Sequence, residues 1–171
     1  MRLRPVREED LPSFQRWLND PEVQLWMGGV TSPPTWEDER RWFDGIKQAE
    51  NRLVWSIENR DEQLLGVMDL RWVPEHKRGS FGVFIGEMSL WNRGLGSDAV
   101  RTMLSVAFEE LGLGRVELYC HAENARAIRC YEKCGFRMEG RLRRHRMTEE
   151  GSADSVVMGL LREEFEAQPW K

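Results

Sequence analysis

Apolar residues recur at two different periods along the chain, and each change of period marks a change of element. Leu11, Phe14, Trp17 and Leu18 fall three and four positions apart, which predicts a helix ended by Asn19-Asp20-Pro21. Ahead of it, Arg2 to Val6 reads as a short strand closed by the acidic run Glu8-Glu9-Asp10. Pro21 to Gln24 starts a second short helix, and Trp26 to Pro34, with Gly28-Gly29 and Pro33-Pro34, reads as a loop. Thr35 and Asp38 have the spacing of a capping box and open a helix that carries Trp36, Trp42, Phe43 and Ile46.

The period then drops to two. Leu53 to Ile57 and Leu64 to Trp72 read as strands joined by the polar turn Asn59-Arg60-Asp61-Glu62. After Pro74 to Arg78 a third strand, Ser80 to Ile85, alternates Phe81, Val83 and Ile85. Helical spacing returns from about Leu95 to Leu111 in two apolar columns. One is Leu95, Ala99, Met103 and Val106; the other is Val100, Leu104, Ala107 and Leu111. Gly112 to Gly114 stops this helix, and Val116, Leu118 and Cys120 alternate along the next strand. Asn124 can cap a helix from Ala125 to Cys134, with Gly135 at its end. Strands at about Phe136 to Arg146 and Ser155 to Leu161 follow, with Glu149-Glu150-Gly151 as the turn, and the polar tail from Arg162 to Lys171 reads as a fraying end. Helices early, a meander of strands, then alternating strands and helices predict an α+β, mixed-sheet architecture. The 171 residues fit one domain, with its core at about residues 2–166.

Composition narrows the function classes. A net charge of −4 argues against nucleic acid as a partner. The basic run Arg141-Leu142-Arg143-Arg144-His145-Arg146 is either the solvated face of a strand or an attractor of an anionic ligand. Three cysteines without a signal-peptide pattern predict a reducing, cytoplasmic setting, and no apolar run reaches the length of a bilayer span. Cys130 and Cys134 lie one helical turn apart with no second ligand pair nearby, so no metal site is expected. Nothing in the sequence predicts a low thiol pKa, and the cysteines read as small buried hydrophobes. His76, His121 and His145 stand singly; His121 shares a strand face with Glu117 and Tyr119.

Leu90 to Val100 carries the chemistry. Gly94 and Gly96 lead directly into the amphipathic helix, and glycine lets a backbone approach a ligand without a Cβ in the way. The free N–H groups and dipole of a helix start attract anions, so the two together form a phosphate cradle. Alone, Gly-x-Gly is equally an ordinary turn. About thirty residues later comes Asn124-Ala125-Arg126-Ala127-Ile128-Arg129-Cys130-Tyr131-Glu132-Lys133-Cys134-Gly135-Phe136. The pair resembles the GNAT superfamily of acetyl-CoA-dependent N-acetyltransferases. The family loop Gln/Arg-x-x-Gly-x-Gly/Ala matches Trp91-Asn92-Arg93-Gly94-Leu95-Gly96 apart from Trp91, and the later block matches Asn-x-x-Ala-x-x-x-Tyr-x-x-x-Gly-Phe throughout. Leu3-Arg4-Pro5, Trp17 to Val23, Ile85-Gly86-Glu87, Trp91, Glu139-Gly140-Arg141-Leu142-Arg143 and Asp154 are similar to the ribosomal-protein-alanine N-acetyltransferases (the RimJ/RimL-like subgroup). Glu123 to Leu142 is also similar to spermidine and aminoglycoside 6′-N-acetyltransferases.

The resemblance implies the GNAT fold, a mostly antiparallel mixed sheet of six or seven strands splayed around the cofactor and flanked by four or so helices. It implies acetyl transfer from acetyl-CoA to a primary amine, whether a protein N-terminus, a polyamine or another small amine. It assigns the co-substrate to Ile85, Trp91, Asn92, Arg93, Gly94, Leu95, Gly96, Ser97, Asn124, Ala127 and Tyr131. Tyr131 is the implied acid for the departing thiolate. Glu87 and Asp69 are the candidate bases, with ordered water as the alternative to either. Trp26 and Trp36 flank the loop that borders the acceptor pocket in the family. The implied partners exclude nucleic acid and membrane; homodimers are common in the resembling families. Two other readings stand beside this one. One is a non-catalytic acyl-CoA-binding module of the same fold. The other is a Rossmann-type nucleotide binder, disfavoured because Ala99 stands where the third glycine belongs.

Overall fold

A computed structural model describes residues 1–27, 33–148 and 151–170. The segments of alternating polarity form seven strands: β1 (Arg2–Pro5), β2 (Arg52–Glu58), β3 (Leu64–Val73), β4 (Arg78–Ile85), β5 (Arg115–His121), β6 (Arg137–Thr148) and β7 (Gly151–Leu161). They make one sheet in the order β1-β2-β3-β4-β5-β7-β6. All neighbours are antiparallel except β4 and β5. That parallel pair is bonded only between Arg78–Ser80 and Arg115–Glu117, so the sheet parts along the rest of both strands.

Among the described residues six α-helices flank the sheet, more than the four or so expected: α1 (Leu11–Leu18), α2 (Pro21–Met27), α3 (Trp36–Gln48), α4 (Leu95–Ser105), α5 (Ala125–Glu132) and α6 (Arg162–Glu166). Strand alternation sends Met68, Leu70 and Phe81 into a core with Ala99, Val100, Met103 and Leu104 of α4. The opposite face presents Val67 and Phe84 to a second cluster built on Leu11, Phe14, Trp17 and Phe43 of α1 and α3. The Thr35–Asp38 capping box opens α3 as predicted, each residue's side chain bonding the other's backbone.

Three expectations need correction. Trp26 lies inside α2 and not in a loop, because the helix begun at Pro21 runs on to Met27. Gly28 and Gly29 lie outside the described residues, as do Glu149 and Glu150 of the expected turn. The helix after Leu95 does not keep its period: beyond Ser105 it widens, and the Leu111 N–H reaches back five residues to the Val106 carbonyl. This leaves Val106 half-buried and turns Phe108 inward. Phe108 stacks on Phe165, ring centroids 4.8 Å apart, so the tail expected to fray is docked through the buried Phe165 of α6.

A charged group is buried where β1 joins α1. Arg4 sends both terminal guanidinium nitrogens to the Asp10 carboxylate at 2.7 Å and its Nε to Glu58, and the Ser56 hydroxyl also donates to Asp10 at 2.7 Å. The β1–β2 register sets Arg4 opposite Ser56 and makes the group possible.

Candidate active site

The gap between β4 and β5 is crossed at its mouth by the Trp91–Gly94 loop. Asn92 and Gly94 take left-handed backbone angles (φ 63° and 79°), which swing the chain into the first turn of α4. Asp98 N–H bonds the Gly94 carbonyl at 3.0 Å, while the N–H groups of Leu95, Gly96 and Ser97 precede any intrahelical acceptor. A Cβ at Gly94 would meet open space, and one at Gly96 only the Cys130 sulfur at 3.5 Å. Among the described residues, the space beside both glycines is therefore open. The Trp91 indole N–H donates to the Ile85 carbonyl at 2.7 Å, tying the loop to the end of β4. The Arg126 guanidinium lies 3.5 Å from the centre of the Trp91 ring. Burial lowers the Arg126 pKa, opposed by Glu22 and Cys130, and an arginine still keeps its charge.

Behind the loop a cleft of about 880 Å³ runs through the gap to the far face of the sheet. Its near half is lined by Trp91, Asn92 and Gly94 of the loop, though not by Arg93, and by Arg126, Arg129, Tyr131 and Lys133 of α5 and its C-terminal end. Its far half is lined by Phe14, Trp26, Glu39 and Trp42 from the helices and by Val67, Phe84 and Tyr119 from the sheet. Arg126, Arg129 and Lys133 thus stand on the cradle side and Arg146 beside Tyr119, while Phe14, Trp26 and Trp42 line the opposite end.

Tyr131 stands on the cleft wall, 8% exposed, its ring edge-on to Phe81 and Phe136 at 5.9 and 6.1 Å. Burial, with added repulsion from the three neighbouring cysteines, drives its pKa far above the usual tyrosine range. The phenol therefore stays protonated, and its hydroxyl has no hydrogen-bond partner among the described residues. The Asn124 side chain accepts the Ala127 N–H at 3.0 Å, which makes it the N-cap of α5 as well as a lining residue.

Neither candidate base is well served. Glu87 follows β4 and accepts the Ser89 hydroxyl at 2.9 Å, but it does not line the cleft. Asp69 does line it, yet Arg52 grips both carboxylate oxygens at 3.0 and 2.7 Å and Arg71 adds a contact at 2.8 Å. Trp26 lines the cleft with its ring edge-on to His121 at 5.8 Å. Trp36 is 36% exposed and off the lining.

Of the basic run, Arg141 pairs outside the cleft with Asp154 at 2.8 Å, whereas Arg146 reaches the lining and bonds the Ser155 hydroxyl and the Tyr119 carbonyl. The run is thus split, with Arg141 on the exposed face and Arg146 on the cleft wall. Among the described residues no group of three or more His, Cys, Asp or Glu side chains is arranged to hold a metal. No helix among them is long and apolar enough to cross a membrane.

Two site features escaped the sequence. Glu39, 6% exposed on α3, lines the far half of the cleft, and burial and then the neighbouring Asp38 charge raise its pKa. It was hidden among the first-turn acids of a helix, although Trp42 and Phe43 at i+3 and i+4 mark its face as the inner one. Cys130 corrects the reading of all three cysteines as inert. Cys120 is buried and pushed up to about 11, and Cys134 is buried and raised as well. Cys130 is only half-buried, lines the cleft, and has its sulfur 3.2 Å from the Ser97 hydroxyl. Hydrogen bonds from Cys134 and then Ser97 overcome its burial and lower it to about 7. Iodoacetamide at neutral pH is therefore expected to label Cys130 before Cys120 or Cys134, with labelling rising through pH 7. CoA bound at the cradle protects it; peptide mass mapping with and without CoA reads the outcome, and equal labelling of all three cysteines contradicts it.

Residues 1–137 match the family model described as an acetyltransferase (GNAT) domain. The chain is 29% identical over 175 residues to aminoglycoside N(6')-acetyltransferase type 1 of Klebsiella pneumoniae, covering 96% of this chain and 84% of that one. It is 26% identical to an uncharacterized SPbeta prophage-derived N-acetyltransferase of Bacillus subtilis (strain 168), covering 96% of this chain and 91% of that one. Among solved structures, spermidine N-acetyltransferase from Vibrio cholerae in complex with CoA and spermine superposes with a TM-score of 0.89 at 19% identity, covering 96% of this chain and 97% of that one. At that identity the likeness speaks for the fold.

Proposed function

The chain belongs to the GNAT acetyltransferase family, and from that membership we propose that its cleft acetylates a primary amine of a small, cationic molecule. The observation that carries this reading is the parted β4–β5 pair, with an open glycine cradle at one side and a protonated Tyr131 in the wall.

Acetyl-CoA supplies an acetyl group already activated as a thioester, so the chain's task is to hold, align and move protons. First-turn N–H groups from Leu95 to Ser97, beside Asn92 and Arg93, hold the pyrophosphate, and Arg126 adds a fixed positive charge over Trp91. Beyond Ser80, the side of β4 turned to β5 has no strand partner, so its backbone can bond an extended amide arm. Tyr131 donates its hydroxyl proton to the departing sulfur. With Asp69 gripped by two arginines and Glu87 off the cleft, water is the better carrier for the proton lost by the amine.

The acceptor follows from where the charges stand, with the α5 cations on the cradle side and Glu39 beside Phe14 and Trp42 on the other. Two proteins similar to this chain are named for aminoglycoside and spermidine acceptors, both polycationic. The same proposal keeps the ribosomal-type subgroup on the strength of Trp91 and Glu139 to Arg143, so a short peptide with a free N-terminus belongs in any acceptor panel.

Thermal shift tests the co-substrate. Ligand at about 100 times its Kd stabilises a folded protein by about 2.7 kcal/mol. Acetyl-CoA and CoA are expected to raise the melting temperature and NAD to leave it unchanged. Stabilisation by NAD without any from CoA would restore the Rossmann-type alternative.

A further inference from the structure

We propose that Glu39 is a specificity-determining residue that ion-pairs with a second ammonium group of the acceptor, so that the enzyme prefers diamines and longer polyamines to monoamines. The inference rests on the acetyl-transfer reading of the cleft and adds to it the charge pattern of the acceptor.

Every other carboxylate lining the cleft is already satisfied. Asp38 bonds the Thr35 hydroxyl and N–H and pairs with Arg41, and Asp69 is held by Arg52 and Arg71. Glu39 alone has neither cation nor donor among the described residues, although its exposed surface is 6% of the free value. Burying a carboxylate without a partner is costly, and the cost disappears when a cation arrives. The surroundings suit an alkylammonium group. Trp42 lies one turn along the same helix face, and Phe14 meets its ring edge-on at 6.0 Å, so aromatic faces flank the carboxylate. The cleft continues from these rings to the sheet gap, where Tyr131 lines the wall. One molecule can therefore present a reacting amine at the gap while a second, protonated amine rests at Glu39. The aliphatic chain between them lies along Val67 and Phe84.

The test compares butylamine with 1,4-diaminobutane and spermidine on wild type, Glu39→Gln and Glu39→Asp. Two readouts are used: thiol release during turnover, and calorimetric binding of the amine to the CoA-loaded protein. Glutamine keeps shape and removes charge, and a melting temperature no lower than that of wild type shows that the variant is folded. In Glu39→Gln the KM and Kd for the di- and triamine are expected to rise about 10- to 100-fold, as for loss of a charge-assisted bond. The kcat stays within about twofold, butylamine kinetics do not move, and Glu39→Asp recovers part of the loss. Unchanged diamine binding in Glu39→Gln overturns the assignment. So does a wild type that binds diamine no more tightly than butylamine. A fall in kcat for all three amines, with KM unmoved, makes Glu39 the proton acceptor and also overturns it. Diamine binding that depends on Glu39 without thiol release from any amine supports the anchor and defeats the acetyl-transfer reading instead.

Discussion

Replacing Tyr131 by Phe lowers kcat about 100- to 1,000-fold and leaves the affinity for acetyl-CoA within about twofold, the range expected when one proton donor is removed from a transition state. The substitution is clean. Phenylalanine retains the edge-on packing against Phe81 and Phe136, and the lost hydroxyl has no partner among the described residues, so the fold loses nothing. Burial also sets a pH signature. An ordinary tyrosine ionises near pH 10, but Tyr131 is held well above that, so turnover shows no alkaline loss from this group up to about pH 10. Stopped-assay kinetics with calorimetric CoA binding decide the matter. A variant that turns over at the wild-type rate removes Tyr131 as the acid.

The largest effect on stability is expected at Arg4. Replacing it with methionine keeps the bulk of the side chain but leaves the Asp10 and Glu58 carboxylates buried without their cation, a loss of about 3–5 kcal/mol. The effect carries a pH dependence. Burial alone would raise the Asp10 pKa, but the bonds from Arg4, the Arg7 N–H and Ser56 outweigh it and hold the group below its ordinary value. A depressed carboxylate contributes stability that is fully present above the unfolded pKa, about 4, and lost as pH falls through the folded one. In wild type this contribution therefore fades in acid. In Arg4→Met the share that comes from Arg4 is already absent, so the gap between the two proteins is widest near pH 7 and narrows below pH 4. Urea unfolding midpoints at pH 7 and pH 3.5 measure it; a gap independent of pH would mean that the group contributes through packing alone.

The parts of the molecule legible in the sequence are those fixed by short-range rules. The Thr35–Asp38 capping box lies three residues apart, the Asn124 cap bonds a residue three further on, and the alternation in β4 and β5 is set by the pleat itself. The glycine loop and the Tyr131 block were legible as motifs, for the same local reason. What the sequence hid depends on pairing across distance. Asp69 looked like a free base because its partner Arg52 is 17 residues away. The β2–β3 register, with Val54 opposite Asp69 and Arg52 opposite Arg71, makes the two diagonal neighbours. Glu39 went unread among three consecutive first-turn acids, although Trp42 and Phe43 mark its helix face as the inner one. Phe108 was missed because a single widened turn shifts the phase of every later side chain. Cys130 looked inert because spacing alone does not say which side chains reach its sulfur: Cys134, one helical turn on, and then Ser97, 33 residues earlier, both bond it.

The central claim is that the parted strands hold acetyl-CoA so that its acetyl group passes to a small polycationic amine. Incubating the protein with acetyl-CoA and a panel of spermidine, 1,4-diaminobutane, an aminoglycoside and a short peptide, then weighing every product, tests it most directly. Free thiol should appear in step with one acetyl group added to a polyamine or aminoglycoside. Firm binding of acetyl-CoA with no thiol released against any amine would contradict the claim and leave a protein that binds the thioester without using it.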